Sequence, residues 1–198
     1  MTLRILEATA ADASRHLQEL GDMLAACVHA GGSIGFMQPV PYERAEAYWR
    51  REVLPELEAG RRCLLVAERD GRWLGSVQIL LGMPANQPHR CELAKMMVHP
   101  SAWRQGIGRH LLQAALDTAR QHGRRLITLD TRQGDASEHL YRSMGFEIGG
   151  VIPGYALNAD GAAWHATTYM YRQLQEVSAA ECSEQAIGRG DHPVSMQS

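Results

Sequence analysis

The stretch of sequence that most constrains the fold is residues 96–112, MMVHPSAWRQGIGRHLL. It predicts an apolar strand, a turn that contains Pro100, a Gly-x-Gly pair at Gly106 and Gly108, and then an amphipathic helix. Such a turn presents unpaired backbone N–H groups, and the helix dipole adds partial positive charge at the same place. Because glycine carries no Cβ, an anion can closely approach the main chain there. The stretch therefore predicts a site for an anionic group such as a phosphate.

The composition excludes several classes of protein. At 198 residues, with 45% hydrophobic and 21% charged residues, the chain predicts one domain with a sizeable core. A net charge of −2 gives no basic field for nucleic acid. No run approaches the roughly 18 apolar residues of a membrane span, and the N-terminus lacks a signal-peptide pattern. We therefore expect a cytoplasmic protein that has neither nucleic acid nor membrane as a partner.

The four cysteines do not form a pattern that indicates a metal site or a disulfide framework. They are scattered along the chain, at Cys27, Cys63, Cys91 and Cys182. No Cys-x-x-Cys spacing occurs, and no two histidines have metal-ligand spacing on one helix. We therefore expect small buried thiols, and no metal.

Apolar periodicity and turn residues predict an α+β domain over residues 1–174. Strands are predicted at residues 3–7, 62–69, 72–81, 91–98, 126–131, 146–152 and 166–174, and helices at 11–30, 41–59, 107–122 and 135–144. The order predicts a sandwich-like arrangement with helices on both faces of a mixed, mostly antiparallel sheet. A single parallel strand pair lies in the middle of that sheet, joined by a helical crossover. Residues 175–198 lack periodicity and predict a disordered tail.

Three single residues refine this prediction. Asp12 is a plausible cap of the first helix. Pro55 should bend or end the second helix, because proline cannot donate the helical hydrogen bond. Lys95 interrupts an apolar strand and therefore predicts a β-bulge there. A bulge would splay the parallel pair and free main-chain N–H groups inside the sheet.

Two carboxylates are predicted on adjacent strands. Asp130 closes the apolar strand 126–129, and Glu92 opens the strand that precedes the Gly-x-Gly turn. One carboxylate on each strand could bind a cationic amine and accept its proton, directly or through water. The alternatives are structural: Asp130 could cap a turn or pair with Arg132, and Glu92 could pair with Arg90.

Further candidates lie outside these strands. The glycine-rich loop 31–37 either ends a helix or forms one wall of a substrate cleft, with Phe36 and Met37 as its apolar contacts. Tyr155 and His165, near the last predicted hairpin, are candidates for the same cleft. His165 could instead be a histidine that only flanks a strand.

Taken together, the order of elements and these residues resemble the GCN5-related N-acetyltransferase (GNAT) superfamily over roughly residues 3–174. The most specific likeness joins Val98-His99-Pro100 to residues 106–112, which resemble the superfamily's acetyl-CoA pyrophosphate loop. Residues 140–146, a helix that carries Tyr141 and closes on Gly-Phe, resemble its second hallmark. Two residues depart from the pattern: Trp103 stands where the loop usually begins with Gln or Arg, and Gly134 stands near where many members carry an Asn.

The resemblance implies a set of residues that bind acetyl-CoA, in and around the loop. That set is Met97, Val98, Arg104, Gln105, Gly106, Ile107, Gly108, Arg109, His110 and Tyr141. It also implies catalytic roles for Glu92 and Asp130, as the acidic pair that handles the amine proton, and for Tyr141, beside the cofactor sulfur. As an acid, Tyr141 would donate its phenolic proton to the departing thiolate; the alternative is that it only packs in the core.

Within the superfamily the chain most resembles the tabtoxin-resistance acetyltransferase group. The segments that carry this likeness are residues 32–37, 129–131, 153–155, 160–161 and 168–169. The resemblance implies acetylation of the primary amine of a small molecule, and it favours a homodimer. Two alternatives stay open: an acetyltransferase that acts on protein lysines or N-termini, and a non-catalytic acetyl-CoA sensor.

Overall fold

The computed structural model describes residues 2–174, so the predicted tail at 175–198 lies outside the described residues. One seven-stranded sheet runs through the domain, in the spatial order β1-β2-β3-β4-β5-β7-β6. Its strands are β1 (Arg4–Ala8), β2 (Arg62–Arg69), β3 (Arg72–Leu80), β4 (Arg90–Val98), β5 (Leu126–Arg132), β6 (Glu147–Leu157) and β7 (Trp164–Gln173). Among these strands only β4 and β5 pair in parallel. The predicted mixed sheet with one central parallel pair is confirmed.

The first predicted helix, 11–30, is in fact two helices, α1 (Ala10–Arg15) and α2 (Leu17–His29). They are divided at His16, whose φ of −108° and ψ of 22° leave the helical region. Asp12 is not the cap that the sequence suggested. Thr9 is the N-cap: its hydroxyl accepts from the Asp12 N–H at 3.1 Å, and the Asp12 carboxylate accepts from the Thr9 N–H at 3.0 Å.

The second predicted helix, 41–59, is interrupted before Pro55. It comprises α3 (Tyr42–Tyr48), a π-helical turn (Trp49–Val53) and α4 (Leu54–Glu58). Pro55 has no N–H to continue the regular ladder, and the N–H of Leu54 reaches five residues back to the Trp49 carbonyl. The expectation that Pro55 disturbs this helix is confirmed.

Helices cover both faces of the sheet, as predicted. On one face α5 (Ile107–Gln121) buries its apolar stripe together with α6 (Ala136–Ser143). On the other face α2 and the π-helical turn bury a second cluster around Leu20, Leu24 and Trp49. Each fully buried leucine contributes about 1.5–3 kcal/mol relative to an exposed one, so both clusters stabilise the sheet on which the site is built. None of the helices within residues 2–174 is both long and apolar enough to cross a membrane.

The bulge predicted at Lys95 is present in β4. Gln78 of β3 lies opposite Ala94, and Ser76 lies opposite Met97, so three steps along β4 match two along β3. Lys95 adopts φ 49°, in the left-handed region that non-glycine residues rarely occupy. Because of the extra residue, the alternate side chains of β4 point to opposite faces of the sheet before and after the bulge. As a result, Met97 packs into the cluster beneath α2.

The parallel pair splays as expected. β4 and β5 pair at three positions only, from Arg90 with Leu126 to Glu92 with Thr128, although both strands continue beyond them. On its other edge β5 pairs with β7 along its whole length, from Leu126 to Arg132. The gap between β4 and β5 therefore begins directly after Glu92.

The last hairpin is longer than predicted, since β6 continues to Leu157 and β7 begins at Trp164. The turn between these strands is closed by a 2.8 Å hydrogen bond from the Gly161 N–H to the Asn158 carbonyl oxygen. β6 is an edge strand, and most of its residues are exposed.

Candidate active site

The Gly-x-Gly turn follows β4 as a short, fixed loop. The N–H of His99 donates to the Leu74 carbonyl oxygen at 2.8 Å, and Pro100–Ala102 form one 3-10 turn. The indole N–H of Trp103 donates to the carbonyl oxygen of Val98 at 2.6 Å. Trp103, at the position where the family pattern has a polar residue, thus ties the loop back to the end of β4.

From Arg104 through Gly108, the backbone N–H groups of this loop have no hydrogen-bond acceptor among the described residues. They precede or open α5, whose N-cap is Gly106. Free amides at the start of a 15-residue helix form a site suited to an anion, because the donors and the helix dipole act at the same place. This is the cradle expected from the sequence, and we call residues 104–108 the amide cradle.

The two glycines serve different purposes. Gly106 has φ 77°, a conformation that glycine adopts freely and that a side chain disfavours. Gly108 has helical geometry, and a Cβ there would lie 3.2 Å from the Leu140 side chain of α6. Gly106 therefore shapes the amide cradle, whereas Gly108 permits the close packing of α5 on α6.

Most side chains expected to help bind the cofactor already have partners within the protein. Arg109 donates to Ser143 Oγ at 2.8 Å, at the end of α6. Gln105 accepts from Arg69 at 2.7 Å, and the His110 ring lies 3.0 Å from the Gly106 carbonyl oxygen. Arg104 has φ 59° and is exposed. The amide cradle therefore depends mainly on main-chain donors.

The expected acid, Tyr141, is buried in α6 and packs against Phe146 with ring centroids 5.6 Å apart. Burial raises the pKa of its phenol above the ordinary range, and the negative charge of Asp130 raises it further. The phenol of Tyr141 is therefore neutral at physiological pH and keeps its proton.

The two candidate carboxylates differ in their surroundings. Glu92 accepts from Arg90 at 3.2 Å, the pairing foreseen as its structural alternative, and Arg90 also donates to Thr128 at 2.7 Å. Asp130 is exposed and has no hydrogen-bond or ion-pair partner within residues 2–174; Arg132 pairs with Asp135 instead. Asp130 is thus the freer carboxylate, and Glu92 is held in place.

Tyr155 joins this region through Tyr169, which was not among the predicted site residues. Tyr169 lies beside Asp130 in the β5–β7 register and donates a 2.7 Å hydrogen bond to the Tyr155 hydroxyl. That bond raises the pKa of Tyr169 to about 12, with smaller contributions from burial and from the charges of Asp130 and Glu92. The two carboxylates and the two tyrosines therefore share one surface.

A cleft of about 320 Å³ opens beside the bulge in β4. Its lining is mostly polar or charged: Gly35, Phe36, Arg44, Ala47, Tyr48, Arg51, Glu52 and Lys95. The ammonium of Lys95 lies 5.9 Å from the centroid of the Tyr48 ring. Burial lowers the pKa of Lys95, while the charge of Asp130, followed by those of Glu52 and Glu92, acts to raise it. Lys95 therefore connects the cleft with the carboxylates.

Lys95, Arg44 and Arg51 were not among the predicted site residues. One sequence signal could have identified Lys95, because it is the only lysine in the chain and interrupts an apolar strand. No comparable signal marks Arg44 and Arg51, since arginines at helical spacing are usual on a solvated helix.

The loop 31–37 lies against the last hairpin. Ser33 Oγ is 3.0 Å from His165 Nε2, and the other ring nitrogen of His165 lies 3.1 Å from the Ala166 carbonyl oxygen. Phe36 packs edge-on against Tyr48 at 5.4 Å and lines the cleft, whereas Met37 is exposed near Gly161. Phe36, but not Met37, therefore faces the cleft. His165 holds the loop in place through Ser33.

Comparisons with known proteins assign the family. The model of the acetyltransferase (GNAT) family matches residues 34–146, more than half of the chain. The chain belongs to the GNAT acetyltransferase family. The matched region contains the amide cradle, both carboxylates and Tyr141, and it excludes the last hairpin.

Individual proteins agree with this assignment. An uncharacterized N-acetyltransferase from the hisH-hisA intergenic region of Azospirillum brasilense is 35% identical over 120 residues, 59% of this chain and 68% of the relative. The L-amino acid N-acyltransferase MnaT of Escherichia coli (strain K12) is 34% identical over 80 residues, 40% of this chain and 45% of MnaT. The structure of yncA, a putative acetyltransferase from Salmonella typhimurium with its cofactor acetyl-CoA, has a TM-score of 0.71 and 23% identity, covering 90% and 98% of the two chains.

The family model and the curated relatives confirm the predicted class of enzyme, an N-acetyltransferase. The solved structure of yncA confirms the predicted fold, and that protein was solved with acetyl-CoA as its cofactor.

Proposed function

We propose that the protein acetylates the primary amine of a small molecule that also carries an anionic group, as an amino acid does. The observation that carries the proposal is the cleft lined by Lys95, Arg44 and Arg51 beside the carboxylates Asp130 and Glu92. Cations can bind the acceptor's carboxylate or phosphonate through charge-assisted hydrogen bonds. Carboxylates can bind its ammonium. A molecule with both groups matches this charge pattern.

On the donor side, the amide cradle at residues 104–108 would hold the pyrophosphate of acetyl-CoA. The opening between β4 and β5 would receive the pantetheine arm, where main-chain groups of the splayed strands can pair with its amides. Met97 and Val98 lie in the part of β4 that borders this opening. Bound there, acetyl-CoA supplies an activated thioester beside the acceptor amine.

Asp130 and Glu92 would remove the proton from the acceptor ammonium, directly or through a water molecule. Asp130 is the better placed of the two, because Glu92 is already paired with Arg90. Tyr141 would donate its phenolic proton to the departing CoA thiolate, since burial keeps its phenol neutral until that step. Phe36 would form an apolar wall of the cleft, and Met37 a further contact on the same loop, which His165 holds through Ser33. Tyr155 would contact the acceptor beside Asp130, where it accepts a hydrogen bond from Tyr169.

The relative MnaT is named as an L-amino acid N-acyltransferase, which agrees with an acceptor of this charge pattern. The segments shared with the tabtoxin-resistance group favour a small amino-acid-like acceptor as well. We retain that group as the nearest one and residues 1–174 as the whole catalytic domain, both as parts of this proposal. A cytoplasmic location is retained as a prediction too.

A thiol-release assay with acetyl-CoA tests the proposal. Each α-amino acid in the panel is paired with its amide and with its decarboxylated amine, and peptides with a free N-terminus or a lysine form a third set. We expect turnover with the amino acids and a loss of about 10- to 100-fold in kcat/KM when the carboxylate is removed. Equal rates within each pair would refute the anionic group, and preference for the peptides would favour a protein acceptor. Binding of acetyl-CoA without any turnover would favour a sensor.

The homodimer implied by the resemblance has a plausible surface on the last hairpin. Four large apolar side chains of β6 and β7 are exposed there, Ile148, Val151, Ile152 and Trp164, and Trp164 is 68% exposed. Exposed apolar patches on an edge strand favour association. We propose that this surface pairs two copies of the chain. Light scattering should report a dimer for the wild type and a monomer for Ile152→Glu; a wild-type monomer would refute it.

A further inference from the structure

Three metal-ligating side chains meet on the sheet away from the amide cradle. Glu7 comes from β1, Cys63 from β2, and His122 follows the last residue of α5. The carboxylate oxygen, thiol sulfur and imidazole nitrogen all lie within 4.8 Å of one another. Their positions along the chain have no metal-ligand spacing, so only the fold reveals them.

Local structure explains why the three side chains converge. In the antiparallel β1–β2 ladder Glu7 lies opposite Leu65, and Cys63 is two residues from Leu65 on the same face. That face is the one that α5 covers, with Cys63, Leu65 and Leu116 in one apolar cluster. His122, at the C-terminal end of α5, thereby lies over the start of β2, next to Cys63. All three positions belong to regular elements or their caps.

The distance between the sulfur and the nitrogen matches tetrahedral coordination. Cys63 Sγ lies 3.4 Å from His122 Nε2. Two ligands at the usual Zn–S and Zn–N distances of about 2.3 and 2.0–2.1 Å, at a tetrahedral angle, are about 3.6 Å apart. A metal ion could therefore bind both atoms with only a small side-chain adjustment.

We propose that Glu7, Cys63 and His122 form a site for a Zn²⁺ ion, with water in the fourth position. A set of one sulfur, one nitrogen and one oxygen ligand is typical of zinc, whereas magnesium and calcium prefer oxygen alone. Glu7 and His122 are exposed, which gives the ion a path from solvent, while Cys63 is buried beneath them. The ion would join β1, β2 and the end of α5, and it takes no part in acetyl transfer.

The ligand chemistry predicts how binding depends on pH. Zinc binds a cysteine as the thiolate, so binding at Cys63 must release the proton of its thiol. The affinity for zinc should therefore rise with pH.

A cobalt titration of the full-length protein tests the site. Co²⁺ bound by a thiolate gives an intense charge-transfer absorption band in the near ultraviolet, and Zn²⁺ should displace it. We expect one equivalent of Co²⁺ to bind with this band, and Zn²⁺ to raise the thermal unfolding temperature. Cys63→Ser should abolish the band, and His122→Gln and Glu7→Gln should weaken Zn²⁺ binding at least about tenfold, since loss of supporting partners alone costs 10- to 100-fold.

Matched controls separate this site from other thiols and imidazoles. Cys91→Ser and Cys182→Ser remove one other thiol each, and His139→Gln removes an exposed imidazole on α6. All three should keep the band and the affinity. The proposal is overturned if the wild type gives no band, or if Cys63→Ser retains it. It is equally overturned if His122→Gln and Glu7→Gln, both at exposed positions that should preserve folding, bind Zn²⁺ as tightly as the wild type.

Discussion

The proposed donor side and the proposed acceptor side of the site are built in contrasting ways. The amide cradle, residues 104–108, is one continuous stretch that ends in the first turn of α5, and it offers main-chain N–H groups. The cleft is assembled from α3, the π-helical turn, the loop 31–37 and the bulge in β4, and offers side chains. A main-chain site is formed by its own turn and glycines, whereas a side-chain site exists only after elements distant in the chain have packed together.

The bulge at Lys95 joins the two sides. After the bulge, the side chains of β4 point to the opposite faces of the sheet, and the strand leads through Val98 to the amide cradle. At the bulge itself, the only lysine of the chain lies towards Tyr48 and the cleft. In the proposed reaction, one local irregularity would therefore serve both substrates. The comparison predicts that variants of each side should affect one substrate and spare the other.

The largest effect should come from Asp130→Asn. Asparagine keeps the shape of the side chain but cannot accept the ammonium proton, and general-base catalysis contributes about 10²- to 10⁴-fold. We expect kcat/KM for the acceptor to fall within that range while acetyl-CoA still binds with unchanged affinity. Steady-state kinetics from pH 6 to 9, together with calorimetric titration of acetyl-CoA, measure both quantities.

Asp117→Asn is the matched control for this change. Asp117 lies on the exposed side of α5, pairs with Arg120 at 2.8 Å and loses the same charge on substitution. It should retain full activity. Glu92→Gln should cost less than Asp130→Asn, because Glu92 is already paired with Arg90. If Asp130→Asn and Glu92→Gln both leave the rates unchanged at every pH, the acid-pair mechanism is wrong.

Lys95→Met should change the acceptor side alone. It removes the ammonium and keeps a chain of similar length, so the acceptor loses a charge-assisted contact that is worth about 1.5–3 kcal/mol. We expect KM for an amino-acid acceptor to rise about 10- to 100-fold, while KM for acetyl-CoA stays within about twofold. KM for the decarboxylated amine should not change on this substitution, because that amine has no carboxylate for Lys95 to contact.

Arg50→Met is the control for loss of one cation. Arg50 lies in the π-helical turn next to Arg51, pairs with Glu46 at 2.7 Å and is absent from the cleft lining. Its kinetics should match those of the wild type. A rise in the acetyl-CoA KM of Lys95→Met would mean that the bulge, and not the charge, matters, and would erase the distinction between the two sides.

The fold and the donor side were largely predictable from the sequence, for physical reasons. The period of apolar residues follows the geometry of helices and strands, and the residues 96–112 carry their own strand, turn and helix start. The details that failed depend on local competition. Asp12 was assigned as a cap, but Thr9 precedes it and takes that position with its own hydroxyl.

The acceptor side was predictable only in part. Phe36, Tyr155 and the carboxylates were recognised as candidates, but the role of Arg44 and Arg51 depends on how α3 and the π-helical turn pack beside β4. Tyr169 was missed because its neighbour Asp130 is nearly forty residues away in the chain, and the β5–β7 register brings them together. Tertiary register is not encoded in any short pattern.

On the donor side, Gly106→Ala should weaken acetyl-CoA binding about tenfold. A side chain at φ 77° costs about 1–2 kcal/mol, and the loop would relax and turn its N–H groups away from the pyrophosphate. Gly123→Ala, at φ 68° just beyond α5, carries the same strain in open space. Both should lose similar stability in chemical denaturation, and only Gly106→Ala should lose affinity in calorimetric titration. Equal affinities would show that the cradle tolerates this strain.

The smallest effect should come from Trp103→Gln, which restores the residue type usual in the family at this position. The substitution removes the 2.6 Å bond from the indole N–H to the Val98 carbonyl oxygen, a neutral hydrogen bond worth about 0.5–1.5 kcal/mol. The amides of the cradle would remain, so KM for acetyl-CoA should rise only about two- to fivefold and KM for the acceptor should not change. A loss greater than that of Gly106→Ala would show that the exposed indole itself contacts the cofactor. The donor side would then depend on a side chain, as the acceptor side does.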